Sequence, residues 1–223
     1  MRRIITALAV ALLAACGGAP APVAPTAPTP AASTKPDDGS GFAQSEFKPY
    51  RSDRFGVIVP LPDRAAWSIV DRDDQHGGWM VATHPPTGTV VRVRRFEETT
   101  LVGRRECELR AQFAGELPKQ EALDEGRYTT LVDEPLHRPK GWDGRRWVAF
   151  EPMPGGRLAG HVVLVSGHQR ICLVVHVRTE VKGDTEAEGL ADRLELFSSR
   201  VVGAVSVDRA KEPEPLLPSP KAP

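Results

Sequence analysis

A surplus of charge of either sign is missing, with Lys plus Arg and Asp plus Glu at 29 each in 223 residues. Nucleic-acid binders carry a basic excess, so nucleic acid is excluded as a partner. A polybasic grip on anionic lipid is excluded with it. No apolar run is long enough to span a bilayer as a helix: residues 4–13 supply ten, where about 20 are needed. Also missing are a glycine-rich phosphate loop, a paired-cysteine zinc spacing, His-Glu-x-x-His and Gly-x-Ser-x-Gly. No internal repeat occurs. No cofactor, metal or catalytic residue is therefore assigned, and the expectation is a non-enzymatic protein.

What is present begins with an address. Arg2 and Arg3 precede the apolar run, and small residues follow it in Leu13-Ala14-Ala15-Cys16. Short, basic at its start and ending in small residues, this is a secretory signal. The last four residues resemble the lipobox of bacterial lipoproteins. The resemblance implies cleavage before Cys16, lipid (palmitate among its acyl chains) on that thiol, and a membrane as first partner. Gly17 rather than Asp after the cysteine is similar to the outer-membrane sorting choice. The implied location is the cell envelope, on an outer membrane facing the periplasm or the cell surface. Residues 17–36 hold six prolines and six alanines. Such a stretch buries too little to offset its ordering entropy; extended at about 3.1 Å per residue it reaches roughly 60 Å. The expected organisation is a signal peptide over 1–15, the lipidated cysteine and linker over 16–45, one globular domain over 46–207, and a Pro-rich tail over 208–223. Losing Arg2 and Arg3 leaves 27 basic against 29 acidic residues, a net of −2.

Within the domain, strands are predicted over 55–60, 67–70, 78–83 and 89–97, where Val91 and Val93 alternate with Arg92 and Arg94. A proline-free run ending at a glycine predicts a helix over 104–115. Strands over 128–132 and 146–150 flank a loop rich in Pro, Gly and Asp. The strongest hairpin joins 160–166 to 170–178 through Gly167-His168-Gln169, with His161 opposite His176. A closing helix over 185–201 presents Leu190, Leu194, Phe197 and Val201 on one stripe. One hairpin face carries Val162, Leu164, Ile171, Leu173, Val175 and Val177; the other carries Val163, Val165, Cys172 and Val174. Both faces need cover. The predicted class is α+β, an antiparallel sheet with helices on both faces.

Phe55-x-Val57-x-Val59-Pro60, Trp67 shortly after, a long run of strands and an amphipathic closing helix resemble the PsbP-like fold. That superfamily includes bacterial periplasmic lipoproteins and photosystem accessory subunits, mostly non-enzymatic. The resemblance implies an α/β/α sandwich and carries no functional residue over.

Candidate sites are few. Ser166-Gly-His168 invites a nucleophile reading, but neighbours on a hairpin turn read as a solvated turn. Asp71-Arg-Asp73-Asp74 lacks the ligand count and spaced glycine of a calcium loop. His161 and His176, as cross-strand neighbours, supply two metal ligands without an evident third, and read as histidines ending a buried face. Arg92, Arg94, Arg104, Arg105, Arg145 and Arg146, with acids nearby, read as a solvated face. Trp147 alternates with Ala149 and reads as core, while Trp142 sits in a Gly-rich loop and is the aromatic assigned to interaction; His161 and His176 are the other two residues so assigned.

With Cys16 taken by lipid, Cys107 and Cys172 remain, and an oxidising compartment favours a bridge between them. Cys107, Ala111 and Ala114 form a small-residue stripe that lets the helix approach the sheet. Leu109 and Phe113 form a rival stripe; if that one faces inward, Cys107 points to solvent. The bridge is the expectation. Three functions remain open: an accessory lipoprotein docking on an envelope protein through a sheet edge or loop, a carrier of a small molecule or lipid, and an envelope hydrolase with scattered catalytic residues. The first is preferred, since tethering raises effective concentration near membrane-bound partners.

Overall fold

The β-strands 157–168 and 171–182 are almost continuously apolar, and residues facing both ways along them are buried. Strands of that kind belong in the middle of a sheet covered on both sides. The computed structural model places them there; it describes residues 40–42, 47–72, 74–138, 141–183 and 186–208, of which 137 and 138 by backbone alone. The signal sequence, Cys16 and the linker to residue 39 lie outside the described residues, as do Asp73 and the tail beyond 208.

In chain order the strands are β1 (Lys48–Ser52), β2 (Val57–Leu61), β3 (Ser68–Val70), β4 (Met80–His84) and β5 (Thr89–Glu97). Helices α1 (Arg104–Phe113) and α2 (Gln120–Asp124) follow, then β6 (Thr129–Arg138), β7 (Trp142–Met153), β8 (Arg157–His168) and β9 (Ile171–Lys182). Helix α3 (Ala187–Leu196) continues through a widened turn, Phe197–Val201, and β10 (Ser206–Val207) ends the described chain. The large sheet has the order β3-β4-β5-β9-β8-β7-β6, every pair antiparallel. The chain meanders out to β5, leaves through α1 and α2, re-enters at the far edge and returns to lay β9 against β5. A second sheet, β1-β2-β10, is also antiparallel.

The β8–β9 turn is Gln169-Arg170, with Gln169 in the left-handed conformation at φ 53°. Val163 therefore pairs with His176, and His161 with Arg178. This corrects the predicted register by two residues. A shift of two preserves which side chain faces which way, so the two predicted face lists survive and the histidines become diagonal neighbours. The segment predicted as a loop before residue 146 is instead ladder, β6 pairing β7 from Thr129↔Phe150 to Arg138↔Trp142. Pro135 is tolerated because β6 is an edge strand.

One face packs Val162, Leu164, Leu173, Val175 and Val177 with Leu190 and Leu194 of α3, Phe197, Val201 and the small sheet's Val57, Val59 and Leu61. The other packs Val163, Val165, Cys172, Val174 and Trp147 with Cys107 and Ala111 of α1 and with Leu117. The fold is mostly antiparallel sheet with few helices. A ten-residue helix is about 15 Å long, and a seven-stranded sheet is roughly 29 Å across, so neither helix can roof a face. Strands, turns and aromatic side chains complete the cover.

Two glycines of β8 let the helices down onto the sheet. A Cβ on Gly160 would lie 2.8 Å from Leu194 Cδ2, and one on Gly167 would lie 2.7 Å from the Gly103 carbonyl at the start of α1. No helix among the described residues is long and apolar enough to cross a membrane.

Candidate functional site

Helix α1 presents small side chains inward and large ones outward. Cys107 and Ala111 are fully buried, while Leu109 is 51% and Phe113 87% exposed. Cys107 and Cys172 form a disulfide, with Cα atoms 5.2 Å apart, so the small-residue stripe faces the sheet and the rival stripe faces out. Gly103, at the start of the helix, donates its N–H to Glu106 at 2.9 Å, which satisfies one of the orphan amides of that end. Leu109 and Phe113 join Val102, Glu98, Glu106 and Arg110 around an open cleft of about 260 Å³. Leu101 is 65% exposed in the loop before the helix. Arg110 binds Glu98 through two hydrogen bonds, 2.6 and 2.7 Å, and holds that carboxyl below its usual range.

Past α1 the chain turns at Gly115, φ 73°, and drives Glu116 into the protein. Its carboxylate meets Arg92 of β5 through one oxygen and His176 Nδ1 through the other. His176 Nε2 lies 3.0 Å from His161 Nδ1, and His161 Nε2 lies 3.2 Å from Glu151 of β7. Glu116, His176 and His161 are all buried. Burial, then the charges of His176 and Arg178, push the His161 imidazole down to about 3. Tyr128 packs edge-on to His161 and hydrogen-bonds Glu151; burial first, then that carboxylate, raise its phenol. The arrangement is a linear relay, carboxylate to imidazole to imidazole to carboxylate. Every ring nitrogen is already engaged, and among the described residues no group of three or more His, Cys, Asp or Glu is arranged to hold a metal ion.

A second polar network lies on the opposite face. Thr87 Oγ1 sits 2.8 Å from His84 Nδ1 and 2.8 Å from Thr89 Oγ1, which donates to Thr179 Oγ1 at 3.0 Å. Asp63 is 3.5 Å from His84 Nε2. The order Asp, His, hydroxyl resembles a hydrolytic triad, but Thr87 is buried and its oxygen bonded on two sides, which suits a structural network.

The other candidates separate. Trp142 opens β7, 6% exposed, and stacks on His168 at 5.2 Å between centroids. This corrects the placement of Trp142 in a loop, because the Gly-rich segment extends as ladder. Ser166 is no solvated turn residue: it is buried in β8 and donates to the Asp143 carbonyl at 3.3 Å. The Asp71 carboxylate takes Arg54 at 2.9 Å and the Tyr50 hydroxyl at 3.1 Å. The arginines meet in pairs rather than as one patch: Arg104 and Arg145 share Glu108 and Arg92 and Arg94 lie over the Trp79 ring, while Arg146 donates to the Ser198 carbonyl beyond α3. Trp147 is core, its indole N–H on Thr130. Cys16 lies outside the described residues.

Sequence reasoning missed Glu116, Glu151 and Arg92 as a set. Glu151 was within reach: Gly155 and Gly156, both with positive φ, are a hairpin signal, and extending β7 and β8 to that turn brings Glu151 opposite Ala159, beside His161.

No protein-family model matches the sequence, and no curated protein matches it. Solved structures are similar at low identity. The solution structure of cyanobacterial PsbP (CyanoP) from Synechocystis aligns with a TM-score of 0.45 and 12% identity over 72% of this chain and 92% of that one. The crystal structure of LpqN, involved in cell envelope biogenesis of Mycobacterium tuberculosis, gives 0.40 and 12% over 73% and 90%. A crystal structure from Bacteroides thetaiotaomicron gives 0.40 and 12% over 76% of this chain and 51% of that one, so the chain spans about half its length. At this identity no residue is carried across.

Proposed function

We propose that this protein is a lipid-anchored lipoprotein of the cell envelope, non-enzymatic, which docks on an envelope protein through the outer side of α1. The observation that carries the docking surface is the pair Leu109 and Phe113, two large apolar side chains that are exposed and line one cleft. Leu13-Ala14-Ala15-Cys16 supports the anchor. Sheet edges are poorer docking sites. Edge strand β1 carries Pro49, β3 has three residues, and β6 combines Pro135, a register shift at Thr130/Val132 and charged Asp133 and Glu134. All are devices that discourage strand addition.

The occupant is read as a protein, because the cleft sets Glu98, Glu106 and Arg110 around Leu109 and Phe113, an apolar centre in a polar rim of mixed charge. Ser40 accepts from Arg193, and Phe42 packs on His84 and Phe197, beside the β4–β5 turn. The α1 cleft lies beyond the far end of β5, nine residues away along the strand, which is about 27–30 Å. The occupant supplies an apolar side chain to the space between Leu109 and Phe113.

Cys16→Ala is expected to leave the membrane fraction on detergent-free extraction; a variant that stays there unacylated removes the anchor. A photoprobe at Phe113 is expected to form one defined adduct in intact cells, reproduced from the partner's side, while a probe at exposed Leu131 forms none. Leu109→Ser should abolish that adduct while changing stability by less than about 0.5 kcal/mol, as befits an exposed site. An adduct that survives Leu109→Ser refutes the docking surface.

A further inference from the structure

The relay from Glu116 to Glu151 has a proton count that its geometry dictates. Two neutral imidazoles carry two protons over four ring nitrogens. The outer nitrogens, His176 Nδ1 and His161 Nε2, each face a carboxylate, which only accepts, so each contact calls for an N–H. That uses both protons and leaves two nitrogen lone pairs facing each other at 3.0 Å. Moving one proton inward repairs the centre and sets a ring lone pair against a carboxylate. A third ring proton completes all three contacts and places one positive charge between two negative ones. A fourth sets N–H against N–H and a cation beside a cation.

We propose that His161 and His176 form a latch set by this count: holding three ring protons it fastens the turn at residues 115–117 to the sheet, and it releases that turn when rising pH removes the third. The latch is independent of lipidation and of docking. The groups that face it come from every neighbouring element. Arg92 from β5 balances Glu116, Glu151 comes from β7 with Tyr128 beside it, and Arg178 lies one row along β9 from His176. Arg178 is paired with Glu180, so two negative charges, one positive charge on the imidazole pair and the Arg92 guanidinium sum to zero, the balance a buried site requires. Since the His161 imidazole stays neutral down to about 3, a second positive charge is not reached in ordinary conditions, and the alkaline side is the working edge.

Release has a defined mechanical consequence. Cys107 is bonded to β9, so the N-terminal half of α1 stays in place. Its C-terminal end, which carries Phe113, is held by Glu116, whose own N–H and that of Leu117 both donate to the Ala111 carbonyl, at 2.9 and 3.3 Å. With the third proton gone one negative charge of the site is unbalanced, and Glu116, on the end of α1 that the disulfide does not hold, is the carboxylate that moves.

Nitrogen-15 spectra of labelled imidazoles in the intact domain count the ring protons directly, and hydrogen exchange at the Glu116 and Leu117 amides reads the latch. The expected result is three protonated ring nitrogens at the lower pH. At the pH where the third proton leaves, protection of these two amides, corrected for intrinsic exchange, should fall at least about tenfold, with Val163 and Val174 in the central strands unchanged. Glu151→Gln, at the partly exposed end of the relay, keeps an acceptor but removes a negative charge. It should move release to lower pH by about one unit. Two ring protons throughout pH 5–9, protection at 116 and 117 that ignores the titration, or a Glu151→Gln release at the wild-type pH would each overturn the latch.

Discussion

The two faces of the large sheet are held by different physics. The α3 face is apolar and aromatic: Leu190, Leu194, Phe197, Val201 and Val202 descend on the valines of β8 and β9, and Phe42, Trp67 and His84 cluster against Phe197. The α1 face receives only Cys107 and Ala111 from its helix, with Leu117 beyond. Burying a Leu or Phe is worth about 1.5–3 kcal/mol, while one methyl group is worth about 0.8 kcal/mol. Helix α1 therefore cannot stay on the sheet by burial, and its large apolar residues are turned away from it. A covalent bond at its second turn and a chain of charged hydrogen bonds at its far end take the place of burial. A helix can thus be attached to a core without contributing much to it, with its large apolar side chains left exposed.

The largest expected effect breaks the apolar side of that comparison. Phe197→Ala removes a fully buried ring from the α3 face and should cost about 3–5 kcal/mol in denaturant unfolding. A cost under 1 kcal/mol would mean that the aromatic cluster does not hold that face.

Next in size is the disulfide. Cys107 and Cys172 are 65 residues apart, and on the chain-entropy model opening that loop costs about 4.3 kcal/mol. Reduction should loosen α1 before the sheet, read as early exchange of the α1 amides. Simultaneous loss of the α3 amides would show that the faces are not separable.

The smallest effect concerns acid. The folded His161 takes its proton only near pH 3, whereas the unfolded chain takes one near 6.5. Between those values the unfolded state holds more protons, so this contribution to stability is complete above about pH 6.5 and is lost as pH falls toward 3. The slope is at most about 1.4 kcal/mol per pH unit. His161→Gln should be less stable at neutral pH yet show a shallower acid slope; an unchanged slope places the sensitivity elsewhere. On the α3 face, burial lowers His84 as well, but Asp63 beside it pulls the other way, so His84→Gln should alter the acid slope less.

Much of the antiparallel sheet was legible in the order of residues. Alternation at Val91 and Val93 marked β5, whose predicted span 89–97 is the observed one. Parity sorted the β8 and β9 side chains into two lists that hold despite a two-residue error in register, because faces repeat every second residue. The stripe Leu190, Leu194, Phe197 and Val201 is buried as one surface. The strands β1 and β10 and the helix α2 were not foreseen: Lys48–Ser52 and Gln120–Asp124 carry one large apolar residue each, Tyr50 and Leu123, and Ser206–Val207 is two residues long, so none offers a period to read.

By itself the sequence determined the kinds of surface this protein has. Periodicity and composition act along the chain, and they settle which side chains of a strand or helix share a face. They also distinguish a core that can pack from stretches that cannot. Which of two rival stripes on α1 faced inward was decided only in three dimensions, where Gly167 let the helix backbone approach closely enough for Cys107 to reach Cys172. The relay was decided there too. Arg92, Glu116, Glu151, His161 and His176 come from four strands and a turn, and no spacing along the chain encodes that meeting. It arises because the fold of a seven-stranded sheet brings distant residues into adjacent rows, where a buried carboxylate must find a partner.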